Sequence, residues 1–307
     1  DNRRSRGLGD VYKRQTTQSF TLVVANTNDA PTITSTAVTS ATEDSAYTYT
    51  VTASDVDVGD TLTMTGTTVP SWLTFDATTG VLSGTPLNAN VGDNSVVITV
   101  GDGTTTVTDS FTITVANTND APTITSTAVT AATEDSAYTY TSTASDVDAG
   151  DTLTAAGTTV PSWLTFTAST GVLTGTPTNA EVGSHAVVIT FSDGTASVTD
   201  SFSITVANTN DAPTLANPIS DASVAEDAAY SLDVSAMCAD VDVGDTMAYT
   251  LAGAPTTLSV ASGVISGTPL NADVGTHTIT VTCTDGAGAT ASDSYVLTVT
   301  NTNDAPT

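Results

Sequence analysis

The sequence predicts an all-β chain built as three tandem antiparallel β-sandwiches. Three observations carry that expectation. Apolar residues alternate with Thr and Ser at a spacing of two, no segment sustains a 3.6-residue period, and the heptapeptide NTNDAPT recurs word for word at 26–32, 117–123, 208–214 and 301–307. Alternation of period two marks strands with one buried face, and Val and Thr suit a pleated surface. A fixed internal period means copies of one structural unit. The copies start 91, 91 and 93 residues apart, enough chain for one sandwich-sized core each.

Residues 1–15 hold all five basic side chains, Arg3, Arg4, Arg6, Lys13 and Arg14, and end in DVYKRQ. That ending reads as translated sequencing adapter and is set aside from the fold; a native basic tail is the alternative. On the first reading the native N-terminus is missing, and the lack of a signal peptide says nothing about export. Residues 16–29 match 107–120 and read as the last strand of a truncated copy. Complete copies run over 30–120, 121–211 and 212–304, and 305–307 open the next.

In the first copy strands are expected near 32–38, 46–54, 61–66, 71–75, 80–84, 94–101 and 104–116. Tyr47, Tyr49, Val51 and Ala53 form one inward face, Val96, Ile98 and Val100 a second, and Phe111, Ile113 and Val115 a third. Turn residues cluster at 57–60, 79–80, 84–86, 92–93 and 102–103. Seven short strands punctuated this way describe an immunoglobulin-like sandwich, and three in series a rod. The third copy has APTTLSVA where the first has PSWLTFDA, and so lacks the tryptophan.

The net charge of −28 is sharply distributed. From residue 15 onward there is no Lys or Arg against 31 Asp and Glu. A surface without cations cannot follow polyphosphate and repels anionic lipid, so neither nucleic acid nor a membrane surface is a partner of these residues. No run of 18 apolar residues exists to span a bilayer. The chain also repels itself unless metal ions neutralise the acids.

The acids recur in register. Asp55 and Asp57, Asp146 and Asp148, and Asp240 and Asp242 follow the second strand of each copy. Asp102, Asp193 and Asp285 follow the sixth. Glu43, Glu134 and Glu226, each with an Asp behind it, precede the second. In a sandwich the first two groups share one end, facing the preceding linker, and the glutamates face the following one. The linkers add Asn26, Asn28 and Asp29, then Asn117, Asn119 and Asp120, then Asn208, Asn210 and Asp211, and finally Asn301, Asn303 and Asp304. Calcium takes about six to eight oxygens in flexible geometry, and this set offers oxygens only. The alternative is a set of metal-free Asx turns.

These residues resemble cadherin repeats, and more closely the dystroglycan-type cadherin-like and Putative Ig repeats of large bacterial surface adhesins. The cadherin linker Asp-x-Asn-Asp is met by Asn117-Thr118-Asn119-Asp120, the Asp-x-Asp by Asp146 and Asp148, the later Asp by Asp193, and the early Glu by Glu43. The Asp-x-Glu ahead of the sixth strand looks like Asn88-Ala89-Asn90, Asn179-Ala180-Glu181 and Asn271-Ala272-Asp273, which adds Glu181 and Asp273 to the candidates. The segment from Pro70 through Trp72 to Pro86 is typical of the bacterial relatives. The resemblance covers 16–307 and implies Ca2+ at the junctions of a secreted bacterial protein, extracellular or on the cell surface. The departures are Asn at the first linker position, Asn88 and Asn179 before the sixth strand, and Asn90 where an acid is expected. They imply weak sites, with Kd of about 0.1–1 mM. Because Glu181 adds an acid there, the junction of repeats two and three is expected to bind more tightly.

Cys238 and Cys283 each fall two residues before a recurring Asp, at the inward positions of Ala53 and Val100. Immunoglobulin domains place their inter-sheet disulfide between these two strands, so a bridge is expected, and with it an oxidising, extracytoplasmic setting. Two buried thiols are the alternative. Trp72 and Trp163 read as core, with stacking on sugar rings as the alternative. No nucleophile motif, phosphate loop or paired-acid cleft appears, so no enzyme is expected. The functional reading is a calcium-stiffened structural stalk of a cell-surface adhesin, mediating adhesion by extending a distal binding region. Its partners are neighbouring repeats of the same chain, and cell-surface glycans or proteins reached through regions outside these residues. The alternatives are a carbohydrate-binding module and a calcium-free spacer in a larger secreted enzyme.

Overall fold

A computed structural model describes residues 17–303. The chain forms two compact units that divide between Asn119 and Asp120. The first contains one sandwich of nine strands: β1 (Thr32–Ile33), β2 (Ser40–Thr42), β3 (Tyr47–Thr50), β4 (Ala53–Ser54), β5 (Thr63–Thr68), β6 (Leu73–Asp76), β7 (Val81–Gly84), β8 (Gly92–Gly101) and β9 (Thr106–Ala116). One sheet has the order β2-β9-β8-β5, the other β3-β7-β6, and β1 pairs with β4. The alternation puts Tyr47 and Tyr49 inside and Thr48 and Thr50 outside. Tyr49, Leu82, Ile98 and Ile113 meet between the sheets at 0–4% exposure.

The structure departs from the expected strands in three ways. The strand expected over 32–38 is split: β1 runs antiparallel to β4, and β2 runs parallel to β9 through Ser40↔Thr114. β2 thereby covers the β9 edge of the four-stranded sheet, an arrangement that blunts edge-to-edge association. Among the described residues helix is limited to one 3-10 turn per copy, at Asn88–Asn90, Asn179–Glu181 and Asn271–Asp273. Residues 17–29 form no strand, and Phe20, Leu22, Val23 and Val24 are exposed, because a strand needs a sheet to pair with.

The second unit holds two further copies with the same sheet orders. In the last copy Cys238 and Cys283 form a disulfide, with Cα atoms 6.6 Å apart, joining Cys238–Ala239 to the long strand Gly275–Thr284. It closes a loop of 45 residues, worth about 4 kcal/mol in lost denatured-chain entropy. The tryptophans are core residues in both copies that have them. Trp72 stands edge-on to Tyr47 at 5.7 Å and donates its indole N–H to Asn94 Oδ1 at 3.0 Å. Trp163 stands edge-on to Tyr138 at 5.7 Å.

The acidic pair before β3 divides its labour. Glu43 is buried, and Asp44 takes a left-handed turn (φ 59°), as do Asp135 (56°) and Asp227 (62°). Short polar side chains tolerate that region best. The turn is locked by the Asp44 amide donating to the Pro86 carbonyl at 2.9 Å.

Gly84, Gly175 and Gly267 pair with strand ends where an added Cβ would penetrate the carbonyls of Trp72, Trp163 and Thr257. Gly175→Ala should therefore destabilise the second copy by about 1–3 kcal/mol, the usual cost of overpacking. Thermal unfolding checks this, and an unchanged midpoint would show that the strand has room.

Candidate metal centres

The same loop cluster is built three times. In each copy the first Asp after the second strand accepts the amide of the Asp two residues on: Asp55 Oδ1 from Asp57 at 2.9 Å, Asp146 Oδ1 from Asp148 at 3.0 Å, Asp240 Oδ1 from Asp242 at 2.9 Å. This Asx turn occupies one oxygen. The other, Oδ2 of Asp55, Asp146 and Asp240, is buried with no hydrogen-bond partner. Across from it, Asp102 is anchored by the amides of Thr104 (2.6 Å) and Thr105 (2.7 Å), and Asp193 by those of Thr195 and Ala196, both at 2.6 Å. Oxygens of Asp55, Asp60 and Asp102 lie within 4.8 Å of one another, as do those of Asp146, Asp151 and Asp193, and of Asp240, Asp245 and Asp285.

Asp60, Asp151 and Asp245 were not among the sequence candidates. Their signal was the constant spacing of five from the first Asp of the loop. The crowding shows in the titration. Partial desolvation and then the charges of Asp57, Asp55 and Asp102 push the Asp60 carboxyl up; Asp151 is raised by desolvation and by Asp148, Asp146 and Asp193. Asp102 moves the other way, held well below the usual carboxylate range by the Thr105 amide, the Thr105 hydroxyl and the Thr104 amide. Asp285 is lowered by the Asn210 side chain first and then by the amides of its own loop.

Within the second unit the linker between its two copies makes a further cluster. Oxygens of Glu134, Asp211 and Asp242 lie within 4.8 Å of one another, with Glu134 and Asp242 buried. The Asp211 amide donates to Asp242 Oδ2 (2.8 Å), and Asn208 Nδ2 (3.0 Å) and Asn179 Nδ2 (2.7 Å) donate to Asp242 Oδ1. Asn210 Nδ2 donates to Asp285 Oδ2 at 2.9 Å, and the Thr209 amide to Glu134 Oε2 at 3.2 Å. Desolvation and then Asp242, Asp135 and Asp240 raise the Asp211 carboxyl.

The first unit shows the same linker logic. Asn26 Nδ2 donates to Asp57 Oδ1 (2.8 Å), the Asp29 amide to Asp57 Oδ2 (2.7 Å), and Asn28 Nδ2 to Asp102 Oδ2 (3.1 Å). The Thr118 amide donates to Glu43 Oε2 at 3.2 Å, while Asn117 and Asn119 are exposed. In the second unit the Asp120 amide donates to Asp148 Oδ2 at 2.7 Å. At the far end Glu226 Oε1 accepts the Thr302 amide at 2.6 Å, and its Oε2 is buried without a partner. Asn301 and Asn303 are exposed, and Asp304 lies outside the described residues.

Two candidates are not brought to these clusters. Glu181 Oε2 accepts the amide (2.9 Å) and hydroxyl (2.7 Å) of Thr178, and Asp273 Oδ2 the Leu270 amide and the Thr257 hydroxyl, both at 2.9 Å. Each closes its own 3-10 turn. The turn sends Asn179 to Asp242 in place of Glu181, so the extra acid expected at this junction is spent locally.

The donor set fits a hard cation. It is all oxygen, mostly carboxylate, and a buried carboxylate oxygen without a partner is costly unless a positive group meets it.

The comparisons agree with this fold. A serine-rich adhesin for platelets from Staphylococcus aureus is 31% identical over 140 residues, 45% of this chain. The chain spans only 6% of that protein's length. Extracellular cadherin domains 1–5 of protocadherin gamma B2 superpose with a TM-score of 0.62 at 19% identity, covering 90% of this chain and 61% of that one. Domains EC22–24 of mouse cadherin-23 superpose with a TM-score of 0.53 at 16% identity, covering 90% and 100%. Residues 30–116, 121–207 and 212–300 each match the family described as "Putative Ig domain", and with three such repeats over most of its length the chain belongs to that family.

Proposed function

We propose that this chain is a calcium-binding stalk segment of a cell-surface adhesin. The observation that carries the reading is the buried, unpartnered carboxylate oxygen of Asp55, Asp146 and Asp240, repeated in all three copies beside two more carboxylates. The chain supplies no Lys or Arg after residue 14 to meet it. The three loop clusters would hold calcium, as would Glu134, Asp211 and Asp242 with Asn208 beside them. Bound Ca2+ supplies positive charge that offsets the carboxylate repulsion and ties linker to loop. The protein's part is to hold the oxygens together: Asx turns aim the first Asp inward, loop amides fix Asp102, Asp193 and Asp285, and linker asparagines stand ready to turn an amide oxygen toward the cation. Linkers so fixed stiffen the segment.

The adhesin relative and the disulfide support an extracellular, structural role. The packing of Trp72 and Trp163 against core tyrosines argues against a sugar platform. With Glu181 held by Thr178, the argument for tighter binding at the last junction loses its extra acid.

Three outcomes test the reading. Calcium at about 100 times its Kd should stabilise the chain by about 2.7 kcal/mol per site, read as a raised melting temperature against EDTA; identical melting curves would leave the loops as metal-free turns. Asp146→Asn removes a buried charge, so without calcium it should be neutral or stabilising by about 1 kcal/mol, while its calcium-induced gain shrinks. A mutant that loses stability without calcium and keeps the full gain with it would count against the proposed ligand role. The third outcome is pH dependence. Asp60, Asp151 and Asp211 titrate above the ordinary value of 3.8 in the folded chain. Their protonation on acidification favours the fold in the absence of calcium, and it competes with calcium. The calcium-induced stabilisation should therefore shrink as the pH is lowered toward 3.8, before the lowered Asp102 and Asp285 take protons. A gain independent of pH in that window would contradict the clustering.

A further inference from the structure

We infer that the Cys238–Cys283 bridge is a positioning element for the cation site of the third repeat, making that site tighter than its two siblings and sensitive to reduction. The inference rests on the calcium reading above. Three copies of one cluster allow a comparison within a single chain. In the first copy the residues two before Asp55 and Asp102 are Ala53 and Val100; in the second, those before Asp146 and Asp193 are Ala144 and Phe191. There these positions are apolar members of the core, with no covalent tie between the strands. In the third copy the residues two before Asp240 and Asp285 are covalently joined.

The geometry runs directly from bridge to site. Cys238 lies in the short strand Cys238–Ala239, and Asp240 follows it at once. Cys283 is fully buried in Gly275–Thr284, paired with Tyr249 and Ala291, and Asp285 follows that strand. Asp285 is clamped by three loop amides at 2.6–3.0 Å and by Asn210. Asp240 is oriented by its Asx turn, which leaves Oδ2 buried and unpartnered. Both side chains thus have fixed directions, and the spacing between the strands becomes the free variable. Without a cation the carboxylates repel and drive those strands apart; a covalent tie resists that spreading, so less conformational adjustment remains for binding to supply.

Reduction removes the tie. A dithiol gives two electrons and two protons to the bridge, the S–S bond breaks into two thiols, and the dithiol closes to its own disulfide. By linkage, a bridge that favours the bound state is itself protected by the bound ion, by the same factor.

The test is calcium calorimetry on the full chain and on Cys238→Ala/Cys283→Val, which installs the residues of the first copy. One class of sites should weaken about fivefold or more, the lower end of ordinary coupling between sites, with the other classes unchanged. Identical titrations, with binding seen in both, would overturn the positioning role and leave the calcium reading intact. No binding in either protein would remove both. Should the third repeat unfold without its bridge, the converse variant decides: Ala53→Cys/Val100→Cys, once its disulfide is verified by mass spectrometry, should tighten the first repeat's sites by a similar factor. Unchanged affinity there would equally overturn the inference.

Discussion

Uncompensated carboxylate charge is the constraint on which the rest of this structure depends. The described residues hold no Lys or Arg, so their carboxylates find backbone amides, hydroxyls or asparagine amides within that part of the chain. Those donors are weak individually, but loops supply them in clusters. The acids are accordingly concentrated in turns, where successive N–H groups converge. The outer face of the four-stranded sheets is left uncharged along its centre: Thr65 pairs with Thr99 and Thr99 with Thr108, and in the third copy Thr250 pairs with Thr282 and Thr282 with Ser292. Hydroxyl rows satisfy one another, as Thr67 and Thr99 do at 2.7 Å, and add nothing to the repulsion.

That distribution separates two kinds of aspartate that look alike in sequence. Asp102 has both oxygens engaged, by two amides, a hydroxyl and Asn28. Asp55 has one oxygen engaged and the other buried without a partner. The first is content as a turn residue. The second has neighbours of like charge, and the Asp60 carboxyl beside it is pushed up by desolvation first and then by the charges of Asp57, Asp55 and Asp102. Loop hydrogen bonds engage both oxygens of Asp102 and only one of Asp55.

Much of the architecture was legible because burial and the alternation of strands are coupled. Tyr47, Tyr49 and Ile98 point inward by parity alone; parity also turned Cys238 and Cys283 inward, and the immunoglobulin-like plan put their strands opposite each other. What escaped was set by pairing and loop geometry, which leave no periodic trace. The first strand splits because β1 pairs with β4 while β2 covers the β9 edge, a choice of partners no local pattern encodes. Asp60, Asp151 and Asp245 escaped because a turn residue and a cluster residue share the same composition. Glu181 misled for the opposite reason: it stands at a position with a known meaning, but three residues behind it Thr178 offers an amide and a hydroxyl within reach, and the local bond takes the side chain.

The third repeat shows how such a unit tolerates loss of a core residue. Where Trp72 and Trp163 pack edge-on against Tyr47 and Tyr138, the third copy has Thr257, whose hydroxyl donates to Asp273. The apolar contribution of the indole is absent, and a buried Trp is among the larger single contributors to a core of this size. The bridge between Cys238 and Cys283 acts at the opposite end of the sandwich and does not refill that space. Its main thermodynamic effect falls on the denatured chain, so it offsets the loss globally. The same bridge lies next to Asp240 and Asp285, so a substitution that restores stability also stands beside one of the places where carboxylates crowd together.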